Sequence, residues 1–383
     1  MMTHPPAFGA DVQTTAVGPH GAVATDQRLA SESGLRVLQA GGNAVDAAVA
    51  IGYTLAVTFP AAGNLGGGGF MLLRLAGGAS HFIDFRETAP AAATERMYRN
   101  AADDVVPGRS TVGPLSAGVP GSVAGLEFAR AAYGTLSRQA LMRDAIDDAE
   151  NGFVLTDADA ASLAREQTAL LAFPTTAAIF ANGGATLRAG TLLRQPDLAR
   201  TLRRIESDGA AGFYTGDVAK ELSASVRAGG GAITEADLAA YRIVQRAPLS
   251  CTYRGTTIVT SPPPSSGGVA ICEVLGIIAH DRVAPPVRSF ENTHLEVEAE
   301  RRAFADRNTQ LGDPAFVESP VSRLLDPAYL ARQRASIAAD RATPSSDIHG
   351  GGVALHEGTN TTNYSVVDAA GNAVDVTYTL NNS

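Results

Sequence analysis

The chain has 383 residues, 30 basic and 39 acidic, for a formal net charge of −9, with 45% apolar and 18% charged residues. That composition is globular, is long enough to bury a sizeable core, and excludes a disordered chain. The acidic balance, with Lys220 as the one lysine, argues against nucleic acid or an anionic membrane as partner, and no run reaches the ~18 apolar residues of a membrane span.

The N-terminus, MMTHPPAFGADVQTTAVG, shows no basic segment followed by an apolar one, so no secretion signal is read there and a cytoplasmic location is the default expectation unless the start has been trimmed, which leaves the location open. GAVATD (21–26) reads as a short strand, and SESGLRVLQA as a helix stopped by Gly41 and Gly42. A second helix from about Ala44 to Val57 is apolar nearly all round and is expected to be buried on most faces; Pro60 ends it. A glycine run, Gly66 to Gly69, feeds a strand, and HFIDFRE (81–87) gives another. Residues ~120–245 read as mainly helical, with Thr234 and Asp237 as a capping box at ITEADLAAYR. SPPPSSGG (261–268) must be loop, because three prolines remove donors and fix φ. A long helix is expected from about Asn292 to Arg307, and an exposed, mobile segment over 341–360. Cys251 and Cys272 make neither a disulfide framework nor a metal set; they are expected as two buried thiols, although they could pair.

The C-terminal residues carry the sharpest local signal. YSVVD (364–368) and AVDVTYTL (373–380) flank AAG, a three-residue loop in which Gly371 takes the left-handed position. This loop pairs Asp368 with Asn372 and hence Thr361 with Thr379, Asn363 with Thr377 and Ser365 with Asp375 on one face. Tyr364 with Val376 and Val366 with Val374 share the other. Polar meets polar and apolar meets apolar, and a slip of one residue destroys the match. Two threonine hydroxyls then face each other, with Asn381 one step on. Opposed threonines are also ordinary sheet partners, just as Arg86 in DFRE reads either as a surface ion pair or as a bidentate clamp for a carboxylate. No HExxH, CxxC, GxSxG or P-loop motif is present, and the glycine run does not fit a dinucleotide loop.

Several blocks in order resemble γ-glutamyltransferases. They include GGNAVDAAVAIGYTLAVTFPAAGNLGGGGFMLLRL (41–75), FIDFRETAP (82–90), AGVPGSVAG (117–125), QPDLARTL (195–202) and FYTGDVA (213–219). ITEADLAAYR, SPPPSSGG, FADRNTQLGDPAFVESP (304–320) and TTNYSVVDAAGNAVDVTYTLNNS (361–383) continue the series. The resemblance implies an α+β N-terminal-nucleophile hydrolase, an αββα sandwich with a helical region in the large subunit. It implies a precursor that cuts itself between Asn360 and Thr361, with 1–360 as the large-subunit portion and 361–383 as the first hairpin of the small subunit. Thr361 then matches the nucleophile, Thr379 the threonine that orients it, Arg86 the clamp for the donor carboxylate and Asn381 a contact to the donor. The implied donor is glutathione or a related γ-glutamyl amide, and the acceptor water, an amino acid or a peptide; no metal or organic cofactor is implied.

Two departures stand out. Asn363 occupies a position where the family often has His. Family members also continue beyond this chain with oxyanion-hole glycines and further donor-binding residues, so the αββα sandwich is expected to be incomplete and the chain inactive by itself. The competing expectations are an acylase or amidohydrolase of the same scaffold acting on another amide, and a non-catalytic remnant.

Overall fold

The computed structural model describes residues 18–279, 281, 289–348 and 361–381. Its centre is a six-stranded antiparallel sheet. In chain order the strands are β1 (Gly21–Ala24), β2 (Gly68–Arg74), β3 (Ser80–Asp84), β4 (Val244–Arg246) and, after the β5–β6 hairpin described below, β7 (Thr362–Asp368) and β8 (Ala373–Thr379). Across the sheet the order is β1-β7-β8-β2-β3-β4, so the C-terminal hairpin lies inside the sheet between two N-terminal strands. The hairpin register is the one its loop dictates: Thr362 pairs with Tyr378, Asn363 with Thr377 and Ser365 with Asp375. Gly371 has φ +89° at the turn.

One sheet face is covered by helices. α1 (Arg28–Gln39) and α2 (Ala44–Thr58) precede β2, and α3 (Ser122–Tyr133) and α4 (Arg138–Asn151) follow β3. α2 begins with a capping box between Asn43 and Asp46, and all its residues except Ala56 are buried. It fits there because most of its positions are small or branched apolar residues, spread over every side. Met71, Leu73, Ile83, Tyr364, Val366, Val374, Val376 and Tyr378 face it from the sheet, all essentially inaccessible. Tyr378 Oη closes the contact by donating to Gly52 O at 2.9 Å. Burial pushes the Tyr378 and Tyr364 phenols well above their usual titration range.

The middle of the chain is helical as expected, with α5 (Pro196–Asp208), α6 (Gly216–Ala228) and the capped α7 (Glu235–Ala240) among its helices. Two-residue strand pairs at Phe153–Val154 with Leu192–Leu193, and at Ala181–Asn182 with Ala185–Thr186, interrupt it. Runs that short carry no readable period.

A smaller assembly packs beside the main sheet. It comprises the hairpin β5 (Leu249–Tyr253) and β6 (Thr256–Thr260), with α8 (Gly267–Ile277), α9 (Phe290–Gln310) and α10 (Pro327–Ala335). Here the expectation of two thiols is corrected: Cys251 on β5 and Cys272 on α8 form a disulfide, their Cα atoms 6.0 Å apart. The packing of the hairpin on the helix brings them together, and no local spacing encodes that. The expected mobile segment 341–360 divides. Residues 349–360 lie outside the described residues, whereas Thr343 is fastened, its Oγ1 donating to the buried Glu298 at 2.6 Å. Among the described residues no helix is long and apolar enough to cross a membrane.

Candidate active site

The sheet face away from α2 carries the polar half of the hairpin alternation. Asn363 Nδ2 donates to Asp375 Oδ1 at 2.9 Å and to Thr377 Oγ1 at 2.8 Å, and Ser365 Oγ donates to Asp375 Oδ2 at 2.6 Å. At the open end of this ladder Thr361 Oγ1 donates to Thr379 Oγ1 at 3.3 Å. Thr362, the adjacent threonine, points the other way, fully buried and paired with Tyr378.

Thr379 is held from behind by the glycine run. The Gly67 and Gly69 backbones run so close to β8 that a Cβ at either position would stand about 2 Å from a β8 carbonyl, 2.0 Å from Thr379 O and 2.2 Å from Thr377 O respectively. The run thus serves close approach of two strands, not a phosphate. Asn64, buried in the preceding loop, fixes its height: Asn64 Oδ1 accepts from Gly67 N at 2.8 Å and from Ser122 Oγ at 2.6 Å. Sequence reasoning passed over both residues, because a buried Asn–Ser pair 58 positions apart leaves no local trace.

Arg86 follows the end of β3 and is exposed. Its Nη2 donates to Asn381 Oδ1 at 3.4 Å, while Glu87 stands at the outer ion-pair limit, 4.0 Å away. The guanidinium also lies 5.9 Å from the Phe70 ring centre. Its backbone is pinned by Tyr241, whose Oη donates to Arg86 O at 2.8 Å and whose ring stacks on Tyr214. Burial, Tyr214 and the carboxylates of Asp84 and Glu87 push the Tyr241 phenol far upward, so it stays a donor. Asn381 adopts φ +70°, with its N donating to Thr379 Oγ1 at 2.8 Å and its Nδ2 to Glu87 Oε1 at 3.1 Å. Thr361, Thr379 and Asn381 therefore meet as the hairpin spacing expected, and Arg86 joins them through Asn381. Asn360 lies outside the described residues.

These four side chains line one cavity of about 460 Å³. Its opposite wall comes from the smaller assembly, through Thr260, Ser261, Ser265 and the first turn of α8. Among the described residues lining it, Arg86 and Asp375 are the charged ones. A hydroxyl with an acceptor behind it, facing a guanidinium across an open floor, can receive a substrate that carries a carboxylate a few bonds from a reactive carbonyl.

Residues 30–383 match the profile of the gamma-glutamyltranspeptidase family. A glutathione hydrolase proenzyme from Pseudomonas sp. (strain A14) is 50% identical over 367 residues, covering 94% of this chain and 63% of that protein. An acylase ACY 1 proenzyme from Pseudomonas sp. (strain V22) is 40% identical, with 96% of this chain and 66% of that protein covered. The crystal structure of Helicobacter pylori gamma-glutamyltranspeptidase superposes with a TM-score of 0.85 at 41% identity, covering 91% of this chain and 100% of that one. The chain thus spans a little under two thirds of the length of the first of these relatives. A profile match over all but the first residues, together with half-identity along nearly the whole chain, makes this chain a member of the gamma-glutamyltranspeptidase family.

Proposed function

We propose that this chain supplies the nucleophile and the donor-carboxylate clamp of an enzyme that transfers or hydrolyses γ-glutamyl groups. Residues 1–360 would form the large-subunit portion and 361–383 the start of the small subunit, both from one precursor. The observation that carries the reading is the Thr361–Thr379 hydroxyl pair at 3.3 Å, opening on the same cavity as Arg86 and Asn381.

The chemistry follows from those groups. A hydroxyl attacks well only when a base takes its proton. Cleavage between Asn360 and Thr361 frees an α-amine on the residue that bears the hydroxyl, and such an amine titrates near 8 when unperturbed. In the precursor the same hydroxyl attacks the Asn360 carbonyl, the peptide nitrogen leaves as that amine, and water opens the ester. In turnover the Thr361 oxygen bonds to the γ-carbonyl carbon of glutathione or a related amide. The C–N bond breaks, the departing amine takes the proton, and a γ-glutamyl ester remains on Thr361. Water or the amino group of an amino acid or peptide then takes the acyl group. Thr379 orients the Thr361 hydroxyl, Arg86 holds the donor α-carboxylate, and Asn381, bonded to both, fixes their separation.

The decisive measurement, made on a precursor that extends over the full length of its relatives, is the N-terminus of the small fragment. It should begin at Thr361, and Thr361→Ala should abolish both cleavage and γ-glutamyl turnover. A fragment beginning elsewhere, or turnover by Thr361→Ala, would overturn the proposal. Arg86→Ala separates the two amide chemistries represented among the relatives. On a γ-glutamyl donor it should lower kcat/KM by about 10- to 100-fold, the weight of a charged hydrogen bond. Unchanged kcat/KM would favour an acylase whose substrate lacks the carboxylate.

A further inference from the structure

β7 has a strand on each flank, and the two flanks divide its backbone groups. Asp368 N donates to Asn372 O at 3.0 Å, so Asp368, Val366, Tyr364 and Thr362 turn their N–H and C=O toward β8. The alternate residues, ending with Thr361, turn theirs toward β1. β1 stops at Ala24, opposite Ser365, and the next residues continue along the same flank toward Thr361. Asp26 stands there. Its Oδ2 accepts from Thr362 Oγ1 at 2.8 Å, and Thr362 is fully buried, so the carboxylate is tied to a fixed point of the hairpin. With one hydroxyl between them, the Thr361 nitrogen and this carboxylate are no more than roughly 8 Å apart.

We infer that Asp26 is a positioning residue for the Thr361 amino group: its carboxylate, tied down by Thr362, faces the amine that chain cleavage frees and holds it on the β1 flank. The inference rests on the function proposed above. Among the described residues, the other charges around Thr361 are accounted for elsewhere. Beyond β3, Arg86 and Glu87 stand 4.0 Å apart and Glu87 also receives Asn381. On β8, Asp375 is four residues from Thr379, roughly 13 Å along the strand, and receives Asn363 and Ser365. Arg28 at the start of α1 pairs with Glu32 at 2.7 Å. From β6 and the approach to α8, the cavity is lined by the uncharged Thr260, Ser261 and Ser265.

A carboxylate beside an amine favours the ammonium form, and only the free amine can take the Thr361 proton. The acid limb of the kcat/KM profile is therefore the readout. Asp26→Asn keeps an oxygen for Thr362 but removes the charge. It should move the midpoint of that limb down by about half a pH unit at low salt, less at high salt where an exposed charge is screened. Asp26→Glu should leave the midpoint in place. The same titration read by pH-dependent acylation of the Thr361 amine in the cleaved protein needs no turnover, so it covers a variant too poor to assay. An Asp26→Asn protein whose amine titrates like the wild type overturns the inference, even if its unfolding midpoint falls, because a purely structural residue would do that. A wild-type protein whose small fragment does not begin at Thr361 removes the proposed function, and the inference with it. Cleavage at Thr361 with an unmoved acid limb sinks the inference alone.

Discussion

Two helices hold the two halves of this molecule, and they do so with opposite materials. α2, at the back of the sheet, buries 14 residues mainly among apolar side chains, its polar contacts confined to a few positions such as Asp46 with Thr135 and Tyr53 with Glu127. α9, at the centre of the smaller assembly, buries Glu298, Arg302 and Asp306, one stripe at a four-residue spacing. Arg302 donates to Glu298 at 2.7 Å and to Ser336 Oγ at 2.8 Å, and Tyr329 donates to Asp306. Among the described residues the apolar cluster on that side has four buried members, Ile277, Ala299, Leu330 and Ile337. α2 therefore gains from every methyl it buries, wherever the methyl lies. α9 holds only while each charge keeps its partner, because an unpaired buried charge is costly. Both walls of the candidate site depend on this division: the threonines stand on the apolar half, and Ser261, Ser265 and the start of α8 stand on the polar one.

The contrast can be broken most sharply at Glu298. Glu298→Leu leaves Arg302 buried without the carboxylate it pairs with and should cost about 3–5 kcal/mol in urea unfolding, whereas Glu298→Leu combined with Arg302→Met should recover most of that loss. A double variant as unstable as the single one would show that the pair is not the source of the cost. Reducing the Cys251–Cys272 bridge, which closes a loop of 21 residues, should cost about 3 kcal/mol. The unfolding midpoint of the α8 side should fall while that of the sheet stays put; a fall shared equally by both would merge the two halves into one cooperative unit.

Acid and base sharpen the comparison further, because the polar half carries carboxyls shifted in opposite directions. Burial first, then the charge of Asp306 and a hydrogen bond with it, pushes Glu273 up to about 9. Its folded form keeps a proton that the unfolded chain releases near 4.5. The stability it contributes is complete below about 4.5 and is lost as pH rises toward 9, with a slope of up to about 1.4 kcal/mol per pH unit. Burial works against Glu298 too, but hydrogen bonds from Thr343, Arg302 and Arg301 outweigh it and hold its carboxyl down to about 2. That contribution is present above 4.5 and is lost as pH falls toward 2. Urea midpoints between pH 5 and 9 should therefore decline in the wild type and flatten in Glu273→Gln; an equal decline in both would place the titrating group elsewhere. The smallest effect belongs to the apolar half: Ile51→Val, at a fully buried position of α2, should cost about 0.5–1.5 kcal/mol with no pH dependence in that range.

The same division explains what could be read from the sequence. α2, the capping box at Thr234 and the hairpin register were legible because each is set by neighbours in sequence: an apolar run, a three-residue spacing, a loop length. The hairpin alone brought Thr361 to Thr379. Joining Arg86 to them needed the resemblance, since helices α3 to α10 and strands β4 to β6 lie between them in the chain. The polar half stayed hidden. Glu298 and Arg302 at a four-residue spacing look like a solvated surface pair, and only the packing of α10 and Thr343 against α9 turns them inward. Cys251 and Cys272 were illegible for the same reason, because the hairpin and helix that carry them meet only in the folded chain.

Exposed turns usually absorb inserted or deleted residues without harm, and Ala369–Gly371 is such a turn, roughly 24 Å from Thr361 along β7. Its length is nevertheless a ruler. Asp368 Oδ1 accepts from Ala370 N and Asn372 N at 3.0 and 2.9 Å, clamping a span of three residues, and the pairing of Thr361 with Thr379 is counted off from there. One residue more or less would either bulge the hairpin or turn every side chain of one strand to the other face, setting Leu380 or Tyr378 where Thr379 belongs. Among descendants of this gene, the loop should vary freely in composition and not at all in length.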